Sequence, residues 1–275
     1  MTSRRNPPRR CLTALAVAVA ASASSLCALS AIAGTAGAAS ADFHAPRVGN
    51  LGITGSSSLD WAGYAVTGSG VTSVSGSWVQ PTVTCPGTKL QQSAFWVGID
   101  GFAASDPTVE QVGTDADCTK KAKKNPSHPV HYAWFELYPA GLVVLPPAIY
   151  PVVPGDVLSG SVQVSGSSYV ITLVDAGRWT FHTTQTPASQ PQNSSAEWIT
   201  EAPTLCTGTK CKVAPLADFG SIGFTGATVN GMPIATSGLA QHEITMTTKK
   251  AKAVKAAPSI LSSGGSAFSV SWFQN

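Results

Sequence analysis

The chain has 275 residues, a formal charge of +3, and only 11% charged against 43% hydrophobic side chains. Four of its 17 basic residues, Arg4, Arg5, Arg9 and Arg10, sit in a segment that reads as a cleavable leader, so the mature chain has 13 basic against 14 acidic residues, a net −1. That removes the clustered positive charge on which nucleic-acid affinity rests, and no nucleic-acid partner is expected.

The leader has a basic start, an apolar stretch from Leu12 to about Ala33, and Ala-x-Ala cleavage options at Ala31–Ala33 and Ala36–Ala38. Residues 1–38 are therefore expected to be a signal peptide, and the protein is expected to be secreted with no membrane association once it is removed. Residues 39–57 are rich in Gly, Ser and Ala without a period and read as a pro-segment or linker. Residues 58–275 form the expected domain, a monomer.

Beyond Leu59, short runs rich in Val, Ile, Thr and aromatics recur between Gly, Pro, Asn and Ser. In chain order, examples are Trp61–Thr67, Val74–Val79, Ala94–Ile99, Val130–Tyr138, Val157–Val164, Tyr169–Val174, Ala196–Thr200, Ser221–Phe224, Glu243–Thr247 and Phe268–Trp272. No sustained 3.6-residue period occurs, so the pattern predicts an all-β fold. An antiparallel β-sandwich of two packed, curved sheets, jelly-roll or concanavalin-like, is expected.

Period-two alternation sorts these strands by face. Phe95, Val97 and Ile99 point one way, and Trp96 and Asp100 the other. Ala133, Phe135 and Leu137 share one face, and Tyr132, Trp134, Glu136 and Tyr138 share the opposite one. Gln111 lies on the side of Val109 and Asp115. One face of each strand is apolar and the other mixes aromatics with carboxylates, as a substrate groove does.

Four cysteines remain after the leader: Cys85, Cys118, Cys206 and Cys211. An even number in an exported chain favours disulfides. Of the three pairings, Cys206–Cys211 as a local clasp and Cys85–Cys118 as the longer bridge are preferred. No Cys-x-x-Cys or His-rich partner points to zinc, so neither a metal nor another cofactor is expected. Lys120, Lys121, Lys123 and Lys124, and Lys249, Lys250, Lys252 and Lys255, read as two solvated loops.

The chain lacks a Gly-x-Ser-x-Gly elbow, a His-Glu-x-x-His motif, and an Asp-Thr-Gly or Asp-Ser-Gly. It does carry Val109-Glu110-Gln111-Val112-Gly113-Thr114-Asp115 and Ser195-Ala196-Glu197-Trp198-Ile199-Thr200-Glu201. With Asp60-Trp61-Ala62-Gly63-Tyr64, Trp78-Val79-Gln80-Pro81, Phe95–Gly101, Tyr132–Pro139 and Ala217–Ser221, these are seven ordered blocks. Together they resemble the glutamic peptidases (eqolisins). The resemblance implies an acid endopeptidase acting on proteins or peptides, with Glu197 and Gln111 as the catalytic pair. It also implies Trp96, Asp100, Asp115, Trp134, Glu136 and Tyr138 as cleft residues. Tyr132 departs from the family pattern in place of an acidic residue, and Leu137 in place of an aromatic.

The chemistry follows from the pair: a carboxylate takes a proton from water and an amide N–H receives the charge that develops on the carbonyl oxygen. A Glu near its reference of about 4.3 still acts as a base in acid. The alternatives are a carbohydrate-binding β-sandwich module and a glycosidase using Glu136 and Glu197.

Overall fold

The computed structural model describes residues 57–87, 89–119, 126–207, 210–250 and 252–275, the side chains of residues 206 and 207 excepted. The expected signal peptide, nearly all of the linker, and the Lys120–Lys124 group lie outside the described residues. Thirteen strands of five or more residues build the fold. They are β1 Trp61–Thr67, β2 Ser73–Val79, β3 Ala94–Ile99, β4 Val109–Thr119, β5 His128–Tyr138, β6 Val157–Ser165 and β7 Ser168–Asp175. After these come β8 Trp179–Gln185, β9 Ser195–Glu201, β10 Ser221–Val229, β11 Ala240–Thr247, β12 Val254–Pro258 and β13 Phe268–Trp272. A single 3-10 turn, Ile234–Thr236, is the helical element among the described residues.

One layer runs β8-β7-β6-β2-β10-β13-β12, and the other runs β11-β1-β9-β3-β4-β5. Strand β11 pairs with both β12 and β1, so it joins the layers along one edge. All pairings between these thirteen strands are antiparallel. The fold is the antiparallel sandwich that the strand pattern predicts.

Alternation decides what fills the space between the layers. In β3, Phe95, Val97 and Ile99 are fully buried in the main core, with Trp78, Trp198, Leu158, Ile171 and Phe224. Two indole N–H groups bridge the layers: Trp78 Nε1 donates to Thr114 Oγ1 (2.9 Å), and Trp198 Nε1 donates to the Ser75 carbonyl (2.7 Å). These bonds remove the cost of burying Trp polar atoms. Cys85 and Cys118 form a disulfide. Cys211 is disulfide-bonded and lies opposite Cys206 in a hairpin of residues 204–213, but the Cys206 side chain lies outside the described residues.

One expectation fails here. Lys255 is not in a solvated loop: it lies on β12 and is only 6% exposed. The lysine-rich composition around it suggested a loop, but the Val254-Lys255-Ala256-Ala257-Pro258 segment is drawn into the sheet by pairing with β11 and β13.

Candidate active site

Strand register, rather than proximity in sequence, assembles the site. Glu197 of β9 is opposite Gly98 of β3, Gly98 is opposite Gln111 of β4, and Gln111 is opposite Glu136 of β5. On the other side Glu197 is opposite Ala65 of β1, which is opposite His242 of β11. Residues in register share a face, so His242, Glu197, Gln111 and Glu136 form one row turned away from the inter-layer core.

Between Glu197 and Gln111 the row carries no side chain. Two strand spacings put their Cα atoms about 9.5 Å apart. A Cβ at Gly98 would come within 3.1 Å of Gln111 Cβ and 3.0 Å of the Trp96 ring, and would push both by a few tenths of an ångström. The bare position leaves a lane in which a carboxylate and an amide can reach toward the same small molecule.

Gln111 is fully buried, and its Nε2 donates to Glu136 Oε2 at 2.8 Å, while its Oε1 has no partner. Burial pushes the Glu136 carboxyl up to about 8, against the lowering effect of the Gln111 bond. In acid Glu136 is therefore neutral and holds the amide through an ordinary hydrogen bond. Glu197 is also fully buried, and neither of its oxygens has a hydrogen-bond partner. Burial raises its carboxyl well above the usual range, against the lowering effect of the nearby Ser195 hydroxyl and with the charges of Asp100, Asp106 and Glu110 adding to it. The expected near-reference value does not hold in this closed arrangement, because the Ser195 hydroxyl only partly offsets the lost water.

The next row holds the aromatics. Trp96 is opposite Gly113 and Gly113 is opposite Trp134. A Cβ on Gly113 would lie 2.6 Å from Trp96 Cβ and 3.0 Å from the Trp134 ring, so only glycine lets both indoles occupy this face. A third row, two residues further on, anchors each ring by a carboxylate. Trp96 Nε1 donates to Glu201 Oε2 (2.8 Å), and Trp134 Nε1 donates to Asp115 Oδ1 (2.6 Å).

Tyr132 Oη lies 2.7 Å from Asp115 Oδ2 and 3.1 Å from Asp117 Oδ2. The hydroxyl has one proton, so the two carboxyls and the phenol share protons. Burial lifts Asp117 to about 7 and Asp115 well above its ordinary range, the neighbouring Asp117 charge adding to it. Tyr132 thus keeps a polar partner for Asp115 where the family pattern has an acid.

The remaining expected residues occupy different settings. Tyr138 is half-buried at the edge of the same face, opposite Val109. Asp100 is fully buried and its carboxylate accepts from the backbone N–H groups of Gln192, Asn193 and Ser194 (2.7–2.8 Å). It clamps the loop leading into β9, and so fixes where Glu197 begins its strand. Phe102, Tyr138 and Leu142 pack against the aromatic cluster of this face, and Phe102 stacks on His242 with ring centroids 4.4 Å apart.

Sequence reasoning did not single out Glu201, Asp117, His242, Gly98 or Gly113 as site residues. Glu201 was the most accessible, since its four-residue spacing from Glu197 already puts both on one face of a strand. Among the described residues no group of three or more His, Cys, Asp or Glu could hold a metal ion.

The profile of the Peptidase A4 family matches residues 59–272. Scytalidoglutamic peptidase bound to a transition-state analogue inhibitor is structurally similar, with 20% identity, a TM-score of 0.63, and coverage of 78% of this chain and 98% of that one. So is SCP-B, a member of the eqolisin family in complex with the tripeptide Ala-Ile-His (20% identity, TM-score 0.58, 78% and 98%). Aspergilloglutamic peptidase from Aspergillus niger has 23% identity and a TM-score of 0.51, over 66% of this chain and 99% of that one. No curated protein sequence matches. The chain belongs to the Peptidase A4 family, the glutamic peptidases, and is a peptide hydrolase of that kind.

Proposed function

We propose that the protein is a secreted acid endopeptidase in which Glu197 activates a water and Gln111 stabilises the oxyanion, without a covalent intermediate. The observation that carries this reading is the Glu197–Gly98–Gln111 register: a carboxylate with two unpartnered oxygens faces a half-free amide across a position with no side chain. Opening of the face over Phe102 and Tyr138 admits peptide and water. Hydration lets Glu197 ionise, and the ionised carboxylate takes a proton from the water as the water attacks the scissile carbonyl. The second N–H of the Gln111 amide, the one not given to Glu136, receives the oxyanion; one such donor typically contributes about 3 kcal/mol. Glu197 then returns the proton to the leaving amine.

Glu136, neutral in acid, positions the amide, and Trp96, Trp134 and Tyr138 form walls against which a peptide lies. Asp115 holds the Trp134 ring in place, and Asp100 sets the approach to β9. The glycosidase alternative fits poorly. Its two carboxyls need an open space between them, whereas Gln111 stands between Glu136 and Glu197 and is bonded to the former. Residues 1–38 as signal peptide, removal of residues 39–57, and a monomeric mature domain complete the reading; N-terminal sequencing and sedimentation of the extracellular form test these.

The class is tested by incubating the protein at acid pH with a denatured protein and, separately, with polysaccharides. Peptide release with unchanged polysaccharide is expected. Sugar release without peptide release would overturn the reading.

A further inference from the structure

Just before β1, six residues along the chain from the Ala65 that pairs with Glu197, Leu59 lines a cavity of about 580 Å³. Its size is within the range of small-ligand sites. Three lysines, Lys212, Lys249 and Lys255, line it, and no Asp or Glu does among the described residues. Lys249 and Lys212 are exposed at its mouth, whereas Lys255 is 94% buried. Among the described residues the Lys255 ammonium forms no ion pair and no hydrogen bond. Thr247 also lines the cavity, is equally buried, and its Oγ1 has no partner. Thr248 adds a hydroxyl whose oxygen already accepts from the Ala253 N–H, so its proton is free to donate.

A lysine with so little exposed surface and no ion pair is costly, and so is the buried Thr247 hydroxyl without a partner. Asn275 also lines the cavity and brings the terminal carboxylate, so three ammonium groups stand against one carboxylate and the balance is positive. Val213, Ala214 and Pro215 give the opposite wall an apolar surface. We infer that this cavity is a binding site for a tetrahedral oxyanion, phosphate or sulfate, free or carried on a small apolar body. The Lys255 ammonium and the Thr247 and Thr248 hydroxyls would bind its oxygens, and Lys249 and Lys212 would close over it.

Asp60 is the one acidic group that acts on Lys255, and it does not substitute for the ligand in acid. Burial raises its carboxyl to about 6 even though it accepts from Ser58 Oγ at 2.7 Å. Below that value Asp60 is neutral, and the terminal carboxylate of Asn275, which forms no ion pair with Lys255, is outnumbered by the three ammonium groups of the cavity. The site is separate from the peptidase row, so its test is independent of the catalytic assignment.

The experiment is thermal melting of the whole mature protein at pH 4.5, titrated with sulfate, inorganic phosphate or phenyl phosphate against chloride at equal ionic strength. A saturable rise in melting temperature is expected, about 3 °C or more at tenfold excess over the dissociation constant. Lys255→Met should abolish the response and Thr247→Val should weaken binding several-fold, while Lys250→Met, outside the cavity, should leave it unchanged. If Lys255→Met does not fold, the Lys212→Met/Lys249→Met double variant, altered only at exposed positions, should lower affinity at least tenfold. Tighter binding of phenyl phosphate than of inorganic phosphate assigns an esterified ligand, and equal binding assigns the free anion. No saturable shift beyond that of chloride, or a shift that persists in both variants, overturns the site.

Discussion

The two faces of strands β3, β4 and β9 differ sharply although they share a backbone. The inner face is filled by Phe95, Val97, Val112, Trp198 and their neighbours, which need only shape and volume. The other face buries Gln111, Asp115, Glu136, Glu197 and Glu201 almost as completely. Hydrophobic burial stabilises the first at any pH, with one exception: Glu110, in register with Ile99 and Leu137, is buried on that face, and burial pushes its carboxyl up to about 8. The second tolerates burial only while its carboxyls are neutral, or bonded as Glu201 and Asp115 are to the two indoles. Burying these carboxyls on one face thus costs stability at neutral pH, a cost that the inner face offsets.

The largest effect that separates the two faces should come from Gln111→Ala. It removes the oxyanion donor while leaving the inner core intact, so kcat should fall roughly 10²–10³-fold with little change in melting temperature. Phe95→Ala should do the reverse. Its ring is fully buried, and truncation should cost about 3–5 kcal/mol of stability, read by denaturant unfolding. The fraction that remains folded should keep its turnover, and loss of kcat in that fraction would blur the distinction between the faces.

The pH dependence sharpens it further. On the carboxyl-bearing side Glu136 rises to about 8, Asp117 to about 7 and Asp60 to about 6, with Glu110 as the inner-face contribution. Each carboxyl binds its proton more tightly folded than unfolded, so stability is fully present below the unfolded values near 4 and falls as pH rises toward these folded values. Melting temperature should therefore be highest in acid and decline steadily from about pH 4 to pH 8, and a plateau across that range would contradict the account. Gly98→Ala probes the lane itself: the new methyl meets the Trp96 ring and Gln111 Cβ, and kcat should drop about tenfold with only a modest loss of stability. Glu136→Gln is expected to have the smallest effect, tenfold or less on kcat, because a neutral amide can still accept the bond from Gln111.

Much of this was legible in the chain. Alternation within Ala94–Ile99 and Tyr132–Tyr138 assigned both faces, because side chains in a strand must alternate. The limits of the sequence lay in non-local register. That Gly98 falls between Glu197 and Gln111, or that Glu201 receives the Trp96 N–H, depends on how distant strands align. Strand β8 was missed because Trp179 and Phe181 are followed by Thr and Gln, a weak apolar signal for an edge strand. Strand β10 runs to Val229 through Gly226, where the turn signal suggested an end at Phe224. Lys255 looked like a loop residue because local composition says nothing of sheet pairing on both sides.

The most direct measurement is kcat on a peptide substrate in acid for Glu197→Gln beside Glu136→Gln, with the fold of each verified by circular dichroism. The account predicts a loss of roughly 10²–10⁴-fold for Glu197→Gln, the range for a general base, and tenfold or less for Glu136→Gln. Loss of activity on Glu136→Gln with survival on Glu197→Gln would contradict it and move the base to the other end of the row.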